Sequence, residues 1–88
     1  MKKNIIYSPR AHSEYHEWAK TNIKIFDKIF DLIQDIQRDP YSGIGKPEPL
    51  KHGLSGYYSR RIDDKHRLVY RVTETEIIIE SCKEHYGD

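Results

Sequence analysis

Between Thr21-Asn22 and Pro40 lies a segment with few alternatives to an amphipathic helix. Ile25, Ile29, Leu32 and Ile36 recur at steps of four, three and four residues, so their side chains line one face of a helix. Phe26, Phe30 and Ile33 widen that stripe. Pro40 ends it, because the residue before a proline is pushed out of the helical region. So broad an apolar face must be buried against a second layer. A chain of 88 residues has room for one small core, and residues 1–88 are read as a single domain.

The second layer is predicted to be a sheet. Residues 4–8 can form a short strand, after which Ser8-Pro9 reads as a helix start, with the serine as N-cap and the proline in the first turn. Ala11, Tyr15 and Trp18 share a face of that first helix, and Thr21-Asn22 breaks and recaps the chain. Residues 40–53 hold Pro40, Pro47, Pro49, Gly43, Gly45 and Gly53 and read as one long loop, a place where function concentrates. Strand signals follow at 54–62, 66–72 and 76–82, with Asp63-Asp64-Lys65 as the turn of a hairpin. Within 66–72, Leu68, Tyr70 and Val72 alternate with Arg67, Val69 and Arg71. The expected fold is α+β, two N-terminal helices packed on an antiparallel sheet.

Hydrophobic residues make up 36% and charged residues 33% of the chain. That is polar for a globular domain, but the clear periods argue for a folded chain over a disordered one. Cys82 is the single cysteine, which excludes an intrachain disulfide and fits a reducing cytosol. The apolar run Ile5-Ile6-Tyr7 is too short for a signal peptide or a membrane span. The net charge of +1 hides an asymmetry: residues 46–71 carry seven lysines and arginines against three acids, and residues 72–88 carry one lysine against five acids. A locally basic hairpin in a nearly neutral chain points to a focused anion site rather than a general nucleic-acid coat. A solvated basic strand face accounts for the same charges.

Several ionisable residues fall outside the hydrophobic pattern. Glu48 stands between Pro47 and Pro49, on a stiff support for a carboxylate. Arg60, Arg61 and Arg67 form a guanidinium cluster on the hairpin, suited to bidentate phosphate contact. Arg67 could instead pair with Glu76 or Glu80. His85-Tyr86 lies near the C-terminus, where imidazole can exchange a proton near neutrality and a phenol can stack or donate. Base, acid and guanidinium together are what cleavage of an RNA phosphodiester requires. Tyr57 and Tyr58 offer further stacking surfaces or plain packing. His12 and His16 have a zinc-compatible spacing without a recognisable third ligand, and Cys82 sits at the end of a strand with a buried pattern, a core position more than a nucleophile.

Four blocks then carry a resemblance: Gly-Lys-Pro-Glu-Pro-Leu-Lys-His at 45–52, Leu-Ser-Gly-Tyr-Tyr-Ser-Arg-Arg-Ile at 54–62, His-Arg-Leu-Val-Tyr at 66–70 and Cys-Lys-Glu-His-Tyr at 82–86. In order and over nearly the whole chain, these resemble the Txe/YoeB toxins of bacterial toxin–antitoxin systems, within the RelE-like superfamily. The resemblance implies a fold like that of microbial ribonucleases. It implies a cytoplasmic endoribonuclease that cuts mRNA in the ribosomal A site without metal or cofactor. It implies a homodimer blocked by a cognate antitoxin, with operator DNA contacted only through the antitoxin complex and no membrane association. Carried onto these positions, the general base falls on Glu48, the phosphate-binding arginine on Arg67 and the C-terminal catalytic pair on His85 and Tyr86. Lys51 and Arg61 fall where relatives carry basic residues near the scissile phosphate. Gly87-Asp88 and Glu80 depart from the family pattern. The alternative is a module that binds RNA or antitoxin without cleaving.

Overall fold

A computed structural model describes residues 2–50 and 56–85 of the protein. Strand β1 (Asn4–Tyr7) leads into helices α1 (Pro9–Thr21) and α2 (Ile23–Arg38). A two-residue strand, β2 (Glu48–Pro49), precedes β3 (Tyr57–Arg61), β4 (His66–Val72) and β5 (Glu76–His85). The five strands form one sheet in the order β1-β5-β4-β3-β2. Four strands pair antiparallel, but β1 lies parallel to β5, so the sheet is mixed rather than wholly antiparallel. Parallel pairing requires a long crossover, and α1 and α2 lie in the chain between the two partners.

Helix boundaries follow the capping chemistry. Ser8 Oγ accepts from the Ala11 amide at 3.0 Å and Pro9 fills the first turn. Asn22 serves two helices at once. Its amide donates to the Trp18 carbonyl at 2.8 Å, closing α1, and its Oδ1 accepts from the Ile25 amide at 3.3 Å, opening α2. α2 ends at Arg38, ahead of Pro40. Ile29, Leu32, Ile33 and Ile36 enter the core with Ala11, Trp18, Leu68, Tyr70, Ile77, Ile79 and Cys82. Phe30 does not widen the stripe as expected; it is 52% exposed, because it lies about 100° around the helix from Ile29. Tyr15 stacks between Tyr7 and Phe26, at 5.7 and 4.4 Å between ring centres, and joins β1, α1 and α2. Burial pushes its phenol up to about 12.

Two features depart from the expected loop and strands. The 40–53 stretch is not all loop, because Glu48 and Pro49 pair with Ser59 and Tyr58 at the sheet edge. Proline tolerates an edge, where its missing N–H costs no ladder bond. The last strand runs on to His85, past the expected end at Cys82. Its register with β4 slips between Arg67 and Val69 and again between Val69 and Tyr70. Such bulges re-aim side chains. Here α1 satisfies the irregular backbone: Glu14 Oε1 accepts from the Cys82 amide and Trp18 Nε1 donates to the Cys82 carbonyl, each at 2.8 Å.

The turn before β2 depends on Gly45. Its φ is +79°, and a Cβ there would lie 2.8 Å from Leu32 Cδ2 and 3.0 Å from the Arg61 carbonyl oxygen. Arg61 N also donates to Gly45 O at 2.7 Å, fixing the turn against β3. Gly45→Ala should therefore lower unfolding free energy by about 1–3 kcal/mol, read from the urea midpoint. An unchanged midpoint would show that the turn relaxes freely.

Candidate active site

Direct partners in neighbouring strands share a face of the sheet, and the registers sort the candidate residues. The helices cover the face of Tyr58, Tyr70 and Ile79. The opposite, open face carries three rows. Arg61, Arg67 and Glu84 form one; Glu48, Ser59, Val69 and Ser81 the next; Tyr57, Arg71 and Ile78 the third. Glu48 thus stands exposed at the edge of a row of small or buried residues, between two rows that hold guanidinium groups. Arg67 and Arg61 are half-buried. No ion pair among the described residues involves Arg67, so the expected alternative pairing with Glu76 or Glu80 is not made, and Arg67 Nε is buried without a hydrogen-bond partner there.

His85 is not on that face. It directly opposes His66 at the end of the sheet, and the two rings meet edge to face at 5.5 Å. His66 in turn packs edge-on against Trp18 at 5.0 Å and sets Nδ1 3.1 Å from Asp63 Oδ1. His85 is nevertheless exposed and one peptide from Glu84, the direct partner of Arg67. Lys51 and Tyr86 lie outside the described residues.

Arg60 requires a correction. It is fully buried and belongs to no surface cluster. It shares the parity of Tyr58 and Ile62 and so points into the helix side. Its Nη1 donates to Asp35 Oδ2 at 2.6 Å and Ile44 O at 3.0 Å; Nη2 donates to Asp39 O at 2.7 Å and Ser42 O at 3.0 Å; Nε donates to Tyr70 Oη at 3.2 Å. Tyr70 Oη passes the chain on to Pro40 O at 2.7 Å. One guanidinium therefore ties together the end of α2 and the loop that leads to Glu48. Asp35 accepts also from Arg38 Nε and the Ile44 amide, each at 2.9 Å. The bond from Arg38, joined by those from Arg60 and Ile44, holds the Asp35 carboxyl at about 2, against an opposing push from burial. A carboxylate with a depressed value stabilises the fold above its unfolded value near ~4 and loses that contribution as pH falls toward 2. The stability difference between the protein and its Asp35→Asn variant should therefore shrink across that window in urea titrations. A difference independent of pH would show that the charge contributes nothing.

The other sequence candidates separate cleanly. Tyr58 packs between Tyr41 and Tyr70, while Tyr57 occupies the open face under Arg71. His12 and His16 are exposed on α1, and no cluster able to hold a metal occurs among the described residues. Cys82 is buried, its Sγ 3.7 Å from Ala11 O, and burial pushes its thiol up to about 12. Iodoacetamide at pH 8 should leave Cys82 unmodified in the folded protein and alkylate it in urea; rapid native alkylation would contradict a core position.

The described residues thus form an open sheet face with arginines and an edge glutamate, backed by two helices. The model of the YoeB-like toxin of bacterial type II toxin-antitoxin systems matches residues 7–86. Toxin YoeB of Escherichia coli K12 is 49% identical over 82 residues, covering 93% of this chain and 98% of that protein. The structure of the YoeB dimer from Staphylococcus aureus superposes with a TM-score of 0.91 at 47% identity, over 98% of this chain and all of that one. YoeB in the heterotetrameric YoeB-YefM toxin-antitoxin complex from the same organism, also 47% identical, superposes at 0.85 over the same shares. The chain belongs to the YoeB-like family and is a toxin of a type II toxin–antitoxin system. No described helix is long and apolar enough to cross a membrane.

Proposed function

We propose that this toxin is an endoribonuclease that cuts mRNA in the ribosomal A site and so halts translation in the cytoplasm, with residues 1–88 acting as one catalytic domain. The reading rests on the common face of Glu48, Arg61 and Arg67. Glu48 removes the proton of a ribose 2′-hydroxyl. The 2′-oxygen bonds to the adjacent phosphorus, the bond to the 5′-oxygen breaks, and an acid protonates that leaving oxygen. Arg67, with Arg61 and Lys51 assisting, neutralises charge on the non-bridging oxygens. His85 is the acid and Tyr86 supports it. Reaching the substrate requires the exposed His85 imidazole to turn from His66 toward the open face at the strand end. The chemistry draws on side chains alone, with no cofactor.

The partners follow from the relatives. The Staphylococcus aureus YoeB is found as a dimer and with YefM. This chain is proposed to dimerise, to be silenced by a cognate antitoxin laid over the basic face, and to meet operator DNA only through that complex. Primer-extension toeprinting after induction tests the enzyme reading. Wild-type protein should generate new mRNA 3′ ends at A-site codons, only with ribosomes present. Translation arrest with intact mRNA would instead mark a module that binds without cutting.

A further inference from the structure

The third row of the open face holds a pairing that catalysis does not use. Arg71 and Tyr57 are direct partners across β3 and β4, and the guanidinium carbon lies 5.7 Å from the centre of the Tyr57 ring. A cation–π contact of this kind holds a guanidinium over a ring without using its N–H donors. Arg71 is half-buried, makes no ion pair among the described residues, and keeps its Nε buried without a hydrogen-bond partner there. The third member of the row, Ile78, offers it no acceptor side chain. Four residues along the same strand, about 13 Å away at extended-chain rise, stands Arg67. The row between them carries Glu48 and the small floor of Ser59, Val69 and Ser81.

We infer that Arg71, seated over Tyr57, is a second phosphate-binding point that grips the RNA strand at a phosphate flanking the scissile one. The inference rests on the ribonuclease reading above and adds a subsite to it. A strand held at Arg67 and again at Arg71 crosses the floor beside Glu48 with its ribose presented to the carboxylate. Two fixed points define the direction of the strand, which one cannot do. Arg71 is a positioning residue: it binds substrate and takes no part in proton transfer.

The test is a salt titration of binding to a short oligoribonucleotide made uncleavable by 2′-O-methylation, with purified toxin. For a single strand, removing one cation from a bound phosphate makes the slope of log affinity against log salt shallower by about 0.7. Arg71→Ala and Arg71→Gln should each reduce the slope by that increment. Arg71→Lys should keep the slope, and Tyr57→Leu should weaken binding with the slope unchanged. Urea midpoints within error of wild type for Arg71→Gln show that the weaker binding does not come from unfolding. A wild-type slope for both charge-removing variants, alongside a reduced slope for Arg67→Ala, overturns the subsite and leaves the ribonuclease reading intact. Loss of binding to an antitoxin peptide with no change in the RNA slope also overturns it and assigns Arg71 to that partner. Failure of wild-type protein both to bind the oligonucleotide and to cleave on the ribosome overturns the reading and the subsite together.

Discussion

Glu48→Ala should lower single-turnover mRNA cleavage on the ribosome by about 10²–10⁴-fold, the usual contribution of a positioned general base. Arg67→Ala should cost a comparable factor by removing a fixed cation from the developing charge. Because both are proposed to act on one transition state, the double variant should lose much less than the product of the two. The structural basis is the shared face: Glu48 opposes Ser59, Ser59 opposes Val69, and Arg67 lies two residues from Val69 on the same strand. Glu48→Gln is the sharper control. It keeps shape and edge pairing while removing the basic oxygen, so it should be nearly as inactive as alanine. Retained activity in Glu48→Gln would show that the carboxylate does not take the proton. Arg67→Lys should recover only part of the loss, since a point charge cannot reproduce the planar fork.

The second large effect is on stability. Arg60→Ala should destabilise the protein by about 3–5 kcal/mol, the range for breaking a buried charged network from one side. The cost arises from what is left behind: the Asp35 carboxylate and the carbonyls of Asp39, Ser42 and Ile44 lose a fully buried donor at once. Unfolding free energies of natural domains are only about 5–15 kcal/mol, so the variant should unfold at markedly lower urea. Arg60→Lys should retain the charge and regain a minority of the stability, because one ammonium cannot reach four separated oxygens. The double variant Arg60→Met/Asp35→Leu removes both charges and should be less destabilised than Arg60→Ala alone. A loss under about 1 kcal/mol for Arg60→Ala would mean that the loop holds itself. In the expected case, cleavage should fall too, since the same network ends where the turn to Glu48 begins.

Arg60 and Arg61, neighbours of opposite fate, show how much of the molecule is legible in the sequence. Helix α2 is readable because its apolar spacing, its Asn22 cap and Pro40 agree. The β4 alternation is readable for the same reason, and Val69 does fall with Arg67 and Arg71 on the face away from Tyr70. Arg60 misleads because residue type outweighs parity: it lies in phase with Tyr58 and Ile62, and that phase already points inward. Asp35, which neutralises it, sits on a different element, so nothing local announces the pair. The parallel β1–β5 pairing is equally hidden, since no turn signal marks partners so distant in the chain. His66 escapes notice because only the tertiary fold sets it against Trp18, Asp63 and His85. The resemblance of the four sequence blocks implies the candidate site residues; the registers supply what it cannot, the face on which each described one stands.

In the proposed reaction this chain itself makes the RNA cut, using the 2′-hydroxyl of the nucleotide before the break. The most direct measurement is single-turnover cleavage of a ribosome-bound mRNA carrying one 2′-deoxynucleotide at the scissile position. The all-ribose message should yield a 2′,3′-cyclic phosphate and a 5′-hydroxyl, and the singly substituted message should stay whole at that position. Cleavage of the deoxy-substituted message at the same site, or products ending in a 5′-phosphate, would rule out attack by the 2′-hydroxyl.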